Sequence, residues 1–236
     1  LYIAVAIAGI CALITALILF GKKTSEDRNY SPSPVSNWKR VINTKGILVV
    51  GLTEAAQYYT FGAYEFYLID YATSPKIGLD SLSIGIVTGA QLAAIALVRP
   101  FAGRFSDRVG RKTPIIVGLI LGSIPLIITP LATSFLELVS VSVLYGIGFS
   151  LVTSSTGPLV SDMAGKELYG SALGFLSTIM DVGQTLGPII TGFIFATALR
   201  YFGAFISLGI LLLAFSFVFS LQGFSLQGVI EEKGYS

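Results

Sequence analysis

Gly103-Arg-Phe-Ser-Asp107-Arg108-Val-Gly110-Arg111-Lys112 is the stretch that decides how this 236-residue chain is read. It gathers four basic side chains and one acid in a chain that is 53% apolar and only 12% charged. The run before it, residues 82–102, carries Arg99 as its one charge, and the run after it, 114–131, carries none. About 20 mostly apolar residues suffice for a helix to cross a bilayer core. The charged stretch therefore reads as a polar turn between two membrane spans. Gly110 permits a tight turn where a side chain would clash, and Gly103 permits close approach of a neighbouring helix. Arg108, Arg111 and Lys112 hold the turn at an anionic membrane face. Thr113 before Pro114 suits the cap and first turn of the next helix.

Working outward, the same pattern predicts spans over roughly 1–21, 46–71, 82–102, 114–131, 135–158, 168–196 and 202–222. Residues 22–45 differ: seven charges fall between Lys22 and Arg40, and Pro32 and Pro34 lie among serines, which reads as a polar linker. Residues 46–222 are then one six-helix bundle, and 223–236 a short tail. Twelve of the fifteen Lys and Arg fall on the linker side of this alternating count, and only Lys76 and Arg200 on the other. That asymmetry obeys the positive-inside rule and predicts a cytoplasmic linker and C-terminus in a multi-pass protein of the plasma membrane. The chain opens at Leu1, inside an apolar run with no basic stretch before it. The expectation is a fragment with its upstream part missing.

Composition removes whole classes of function. With no histidine, imidazole metal sites and Ser-His-Asp chemistry are excluded, and a single Cys11 excludes a disulfide scaffold. A net charge of +2 does not suggest nucleic-acid binding. No metal cluster and no nucleophile–base pair is visible, so an enzyme is poorly supported. The fold class read from these features is an all-α polytopic helical membrane protein.

The opening stretch resembles motif A of the major facilitator superfamily, G-x-L-a-D-r-x-G-r-K, departing only at Phe105, where the pattern has Leu. In that family the motif joins helices 2 and 3, and again helices 8 and 9. The long charged segment between the first two spans looks like the loop between helices 6 and 7. The resemblance thus implies helix 6 plus helices 7–12, the six-helix second half of a twelve-helix carrier, with helices 1–5 as the missing partner. It implies that Gly103, Asp107, Arg108, Gly110, Arg111 and Lys112 form a conformational latch, Asp107 meeting the positive end of a helix in the other half. Asp162-Met-Ala-Gly-Lys-Glu167-Leu-Tyr-Gly170 resembles the loop between helices 10 and 11. Asp181-Val-Gly183-Gln184-Thr185-Leu-Gly187-Pro188-Ile-Ile-Thr-Gly192 is similar to the antiporter motif of helix 5, with Thr191 where that motif has glycine.

Ionisable side chains within spans are costly in lipid and therefore candidate functional groups. On the second span Glu54, Tyr58, Phe61 and Glu65 recur on one helical face, with Gln57 beside them. Glu54 falls near the midplane. It is expected either to carry protons or contact substrate, or to make a helix–helix hydrogen bond. Glu65 and Asp70 read equally well as interfacial charges. On the sixth span Ser177, Asp181, Gln184, Thr185 and Pro188 share a face opposite Ala172, Gly183 and Gly187. The small face suits helix packing and the polar face a water-filled path; Asp181 is a second candidate proton carrier, or a structural acid paired with a polar neighbour. Gly85, Gly89 and Gln91 are expected to serve packing. Tyr58, Tyr59, Tyr64 and Tyr67 are expected to stack on a ligand or to form an outer aromatic belt.

Together these readings predict a secondary active transporter of a small organic solute, working by alternating access in the bilayer. Resemblance to drug-efflux members favours proton-coupled efflux of an amphiphile. Uptake of a sugar, organic acid or other metabolite is the alternative, and a non-transporting membrane sensor a further one. No cofactor or metal is expected, with a proton gradient as the energy source.

Overall fold

The computed structural model describes residues 34–222, and within them the chain is almost wholly helical. The span expected over 1–21 and the tail over 223–236 lie outside the described residues. The helices are α1 (Pro34–Asn43), α2 (Lys45–Thr73), α3 (Ser81–Val109), α4 (Lys112–Ile128), α5 (Phe135–Phe195) and α6 (Arg200–Leu221), with a 3-10 turn at Thr129–Leu131. Local chemistry sets their ends. Asp80 caps α3 by accepting from the Ser83 N–H at 3.2 Å. Ser134 and Glu137 form a reciprocal capping box at the start of α5. Gly110, at φ 90°, ends α3 in a conformation that glycine adopts without strain.

Helix α5 runs for 61 residues, about 90 Å at 1.5 Å per residue, against a bilayer core of about 30 Å. It resolves into two arms, 135–164 and 166–195, broken by Gly165 at φ 63° and ψ −178°. Contacts with α2 show that the chain reverses there. In the first arm Phe149, Tyr145 and Ser142 meet progressively later residues of α2: Tyr58, then Thr60, then Tyr64. In the second arm Phe175, Gly183 and Gly187 meet Gly51, Ala55 and Tyr59 in rising order. Helix α2 therefore lies between two antiparallel arms. Helices α3 to α6, with α4 counted through its 3-10 turn, are each long and apolar enough to cross a membrane, α5 twice over.

Three boundaries differ from the sequence expectation. Residues 34–43, read as linker, form α1, which turns Val41 and the half-buried Trp38 toward the bundle and sets Trp38 edge-on to Phe175 at 6.1 Å. The segment 159–167, read as a loop, is helical on both sides of Gly165. The turn 103–113 shrinks to Gly110 and Arg111, because α3 continues through Val109 and α4 begins at Lys112. Thr113 is consequently inside α4 rather than its cap, and Pro114 keeps its place in the first turn. Polar residues beyond the bilayer do not end a helix; they only end its apolar pattern.

Backbones approach closely where glycines allow it. A Cβ built on Gly183 would stand 2.3 Å from the Ala55 carbonyl oxygen, and one on Gly187 2.2 Å from that of Tyr59. Helices in lipid gain little from burying apolar surface against one another, so such contacts and interhelical hydrogen bonds hold the bundle.

Candidate functional site

The inward face of α2 carries the polar residues singled out above. Glu54 is 3% exposed and Gln57 fully buried. One Glu54 carboxyl oxygen and both amide atoms of Gln57 have no hydrogen-bond partner. Burying an unpaired polar group costs about 1–3 kcal/mol, so these atoms are held there against their own solvation. The Thr156 hydroxyl and the Arg99 guanidinium of neighbouring helices act on the Glu54 carboxyl. One turn further along, Tyr58 and Phe61 close on Phe149 of α5, with ring centroids 5.2 and 4.6 Å apart. Edge-on and tilted aromatic pairs at such distances are favourable and present flat apolar surface.

The second polar group lies on the second arm of α5. Ser177, Asp181, Gln184 and Thr185 are all exposed, while Ala172, Gly183 and Gly187 are buried against the bundle. The Gln184 backbone carbonyl presses on Gly62 of α2, where an added Cβ would stand 2.3 Å away. The Pro188 carbonyl accepts from the Tyr67 hydroxyl at 3.0 Å. The structure thus brings Glu54, Gln57, Tyr58 and Phe61 together on α2, and leaves Asp181 on the exposed face of the second α5 arm. Glu54 and Gln57 face protein, whereas Asp181, Gln184 and Thr185 face out of this half.

Other contacts depart from the sequence reading. Gln91, expected to serve packing, donates its amide to the Glu65 carboxyl at 2.7 Å and ties α3 to α2. That spacing across two helices has no signature in either sequence segment alone. Tyr64 and Tyr67 neither line an open surface nor form a belt; both are buried. Tyr64 hydrogen-bonds Ser142 at 3.0 Å, and Tyr59 hydrogen-bonds Thr191 at 3.2 Å, so these hydroxyls join α2 to both arms of α5. Thr60 and Tyr145 add a buried pair at 3.1 Å. Among these tyrosines, Tyr58 is the one that lies a helical turn from Glu54 and packs on Phe149.

At the turn between α3 and α4, Arg111 is the centre. It donates to Asp107 one helical turn back and lies 3.6 Å from the Asp162 carboxylate at the end of the first α5 arm. Lys112 donates to the Ser220 and Gln222 carbonyls at 2.9 and 2.7 Å. Those carbonyls belong to the open end of α6, where backbone dipoles favour a cation. Arg108 is exposed and Gly103 has open space around it, while Asp107 finds its partner within the turn itself.

Residues 59–223, more than half of the chain, match the family model described as Major Facilitator Superfamily. The chain is 29% identical over 145 residues to quinolone resistance protein NorA of Staphylococcus aureus, an alignment covering 60% of this chain and 37% of that protein. It is 29% identical over 144 residues to multidrug resistance protein 2 of Bacillus subtilis, covering 61% of this chain and 36% of the relative. The aligned segment thus spans little more than a third of the length of either relative. The motif at 103–112, the membrane-spanning helices and the matched residues give one answer: this chain belongs to the Major Facilitator Superfamily.

Proposed function

We propose that the complete protein is an efflux carrier for small amphiphilic organic molecules, driven by protons and working by alternating access, and that this chain supplies its second half. The observation that carries the reading is an acid buried beside an aromatic surface: Glu54 keeps a free carboxyl oxygen one helical turn from Tyr58, and Tyr58 and Phe61 close on Phe149, while Asp181 supplies an exposed acid on the second arm of α5. A carboxyl in low dielectric changes its energy by several kcal/mol when it gains or loses a proton. A conformational change that hydrates or dries it therefore couples to protonation. The aromatic rings offer stacking surface for an apolar ring system, as small-molecule sites commonly do. The printed names of the two relatives, quinolone resistance and multidrug resistance, agree with outward transport of organic compounds.

In this reading Asp107, Arg111 and Asp162 form the switch at one end of the bundle, and Asp107 exchanges Arg111 for a helix N-terminus of the other half as the carrier changes state. The test uses the complete transporter in proteoliposomes. Glu54→Gln and Asp181→Asn should each reduce transport driven by an imposed pH gradient to the level of protein-free liposomes. Substrate exchange without a gradient should persist, because exchange needs no net proton movement. Gradient-driven transport at the unmodified rate in both variants would refute proton coupling at these acids.

A further inference from the structure

A polar stripe runs along the side of α2 that meets the first arm of α5. Thr53, Gln57, Thr60 and Tyr64 recur four, three and four residues apart, the spacing of one helical face, and all are buried. The stripe is matched at one end only. Tyr64 pairs with Ser142 at 3.0 Å and Thr60 with Tyr145 at 3.1 Å. Toward Gly165 the pairing stops. Thr53 turns its hydroxyl back on the Val49 carbonyl of its own helix at 2.8 Å. Gln57 has no partner for either amide atom. One oxygen of Glu54, a turn away, and the Ser154 hydroxyl of the first arm are unpartnered as well.

This asymmetry has an energetic consequence. A buried polar group left without a hydrogen bond disfavours the state that buries it by roughly 10–100-fold. The matched end of the seam carries no such penalty, so the two ends differ in their tendency to part. Gln57 is fully buried by residues of this half itself, and no segment from elsewhere in the protein reaches it while the seam is closed. The partner that relieves it is therefore small. Water meets that requirement, because one molecule both donates and accepts, as the two free amide atoms demand.

We infer that the seam between α2 and the first arm of α5 opens locally from its Gly165 end to admit water, and that Gln57 drives the opening because its amide is stranded when the seam is closed and hydrated when it parts. The Thr60–Tyr145 and Tyr64–Ser142 pairs stay closed and serve as the pivot. Local opening of this kind is expected where backbone and side-chain pairing is weakest. The inference rests on the alternating access proposed above. It does not rest on proton coupling, since an amide does not titrate.

The test reads the seam without any transport measurement, so its failure is distinct from failure of the carrier reading. Thr53→Cys and Ser142→Cys are placed singly in the complete transporter, otherwise free of cysteine, in proteoliposomes. A small water-soluble methanethiosulfonate reagent then reports hydration, because it reacts with thiols that meet water. Thr53→Cys should react roughly tenfold faster than Ser142→Cys, and adding Gln57→Met, which keeps the length of the side chain but removes the amide, should slow it by about tenfold. The rate at Ser142→Cys should not change. Gln57→Met and Gln57→Leu should each raise Tm by about 3–6 °C, the reverse of what losing a structural hydrogen bond does. Equal rates at the two positions, a Thr53→Cys rate unaffected by Gln57→Met, or a lower Tm in both Gln57 variants would overturn the inference.

Discussion

Gly187→Ala is a one-methyl change whose consequence follows from the backbone geometry. The added Cβ would stand 2.2 Å from the Tyr59 carbonyl oxygen, with the Ala63 amide nitrogen at 3.2 Å. Both are main-chain atoms, so neither can rotate away. Restoring ordinary contact requires α2 and the α5 arm to part by about 1 Å. Two hydrogen bonds cross that seam, Tyr67 to Pro188 at 3.0 Å and Tyr59 to Thr191 at 3.2 Å, and a shift of that size stretches both past useful length. Interhelical hydrogen bonds in membranes contribute about 0.6 kcal/mol each. Overpacking itself costs about 1–3 kcal/mol. The expected loss is then about 2–4 kcal/mol, or a fall in Tm of roughly 5–15 °C at about 2–4 °C per kcal/mol. The control is Gly174→Ala on the same arm, where an added Cβ meets nothing within 4 Å. It should leave Tm unchanged or raise it slightly, because alanine favours helix by about 0.5–1 kcal/mol. Thermal unfolding of the detergent-solubilised complete protein reads both. Equal shifts in the two variants would refute the claim that glycine contacts set the α2–α5 distance.

Two further outcomes are expected. Asp107→Asn removes an exposed ion pair one helical turn from Arg111, worth at most about 1 kcal/mol, so Tm should barely move. Labelling of cysteines introduced on the two sides of the carrier should nonetheless redistribute, and an unchanged labelling pattern would leave Asp107 a turn residue. Gln91→Leu strips the Glu65 carboxyl of its amide donor and should cost about 1–3 kcal/mol in thermal unfolding. Gln91→Leu combined with Glu65→Leu should recover part of that loss, and strictly additive losses would show that the two side chains do not interact.

Much of the architecture was legible because a bilayer imposes simple rules on composition. The positions of α3 to α6 followed from apolar runs, and the turn at Gly110 from the charges around it. What escaped was structure the bilayer does not police. Residues 34–43 read as linker from their prolines and serines, although Trp38 and Val41 stand three apart with Lys39 and Arg40 between them, the spacing of an amphipathic turn. Asp162, Lys166 and Glu167 suggested a loop because they are polar, yet helix continues readily in water. At the site, helical spacing put Glu54, Gln57, Tyr58 and Phe61 on one face of α2, and Ser177, Asp181, Gln184 and Thr185 on one face of α5. It gave no sign that Gln91 would reach Glu65, or that Tyr64 would be spent on Ser142, because those pairings depend on which helices become neighbours. Spacing within one helix is local information, whereas partner choice belongs to the whole bundle.

The break at Gly165 gives α5 the mechanics of a pair of shears. Each arm is about 45 Å long at 1.5 Å per residue, and the two meet at a single residue rather than through a slack connection. A change of about 10° in the angle between the arms would carry a free tip through about 8 Å, comparable to the spacing between packed helices. Because α2 lies between the blades, such a swing could not occur in α5 alone without dragging glycine backbone across α2 on one side and parting tyrosine hydroxyls on the other. The contacts on the two sides of α2 therefore tie the arms to one another, so that a change of angle at Gly165 would load both seams at once.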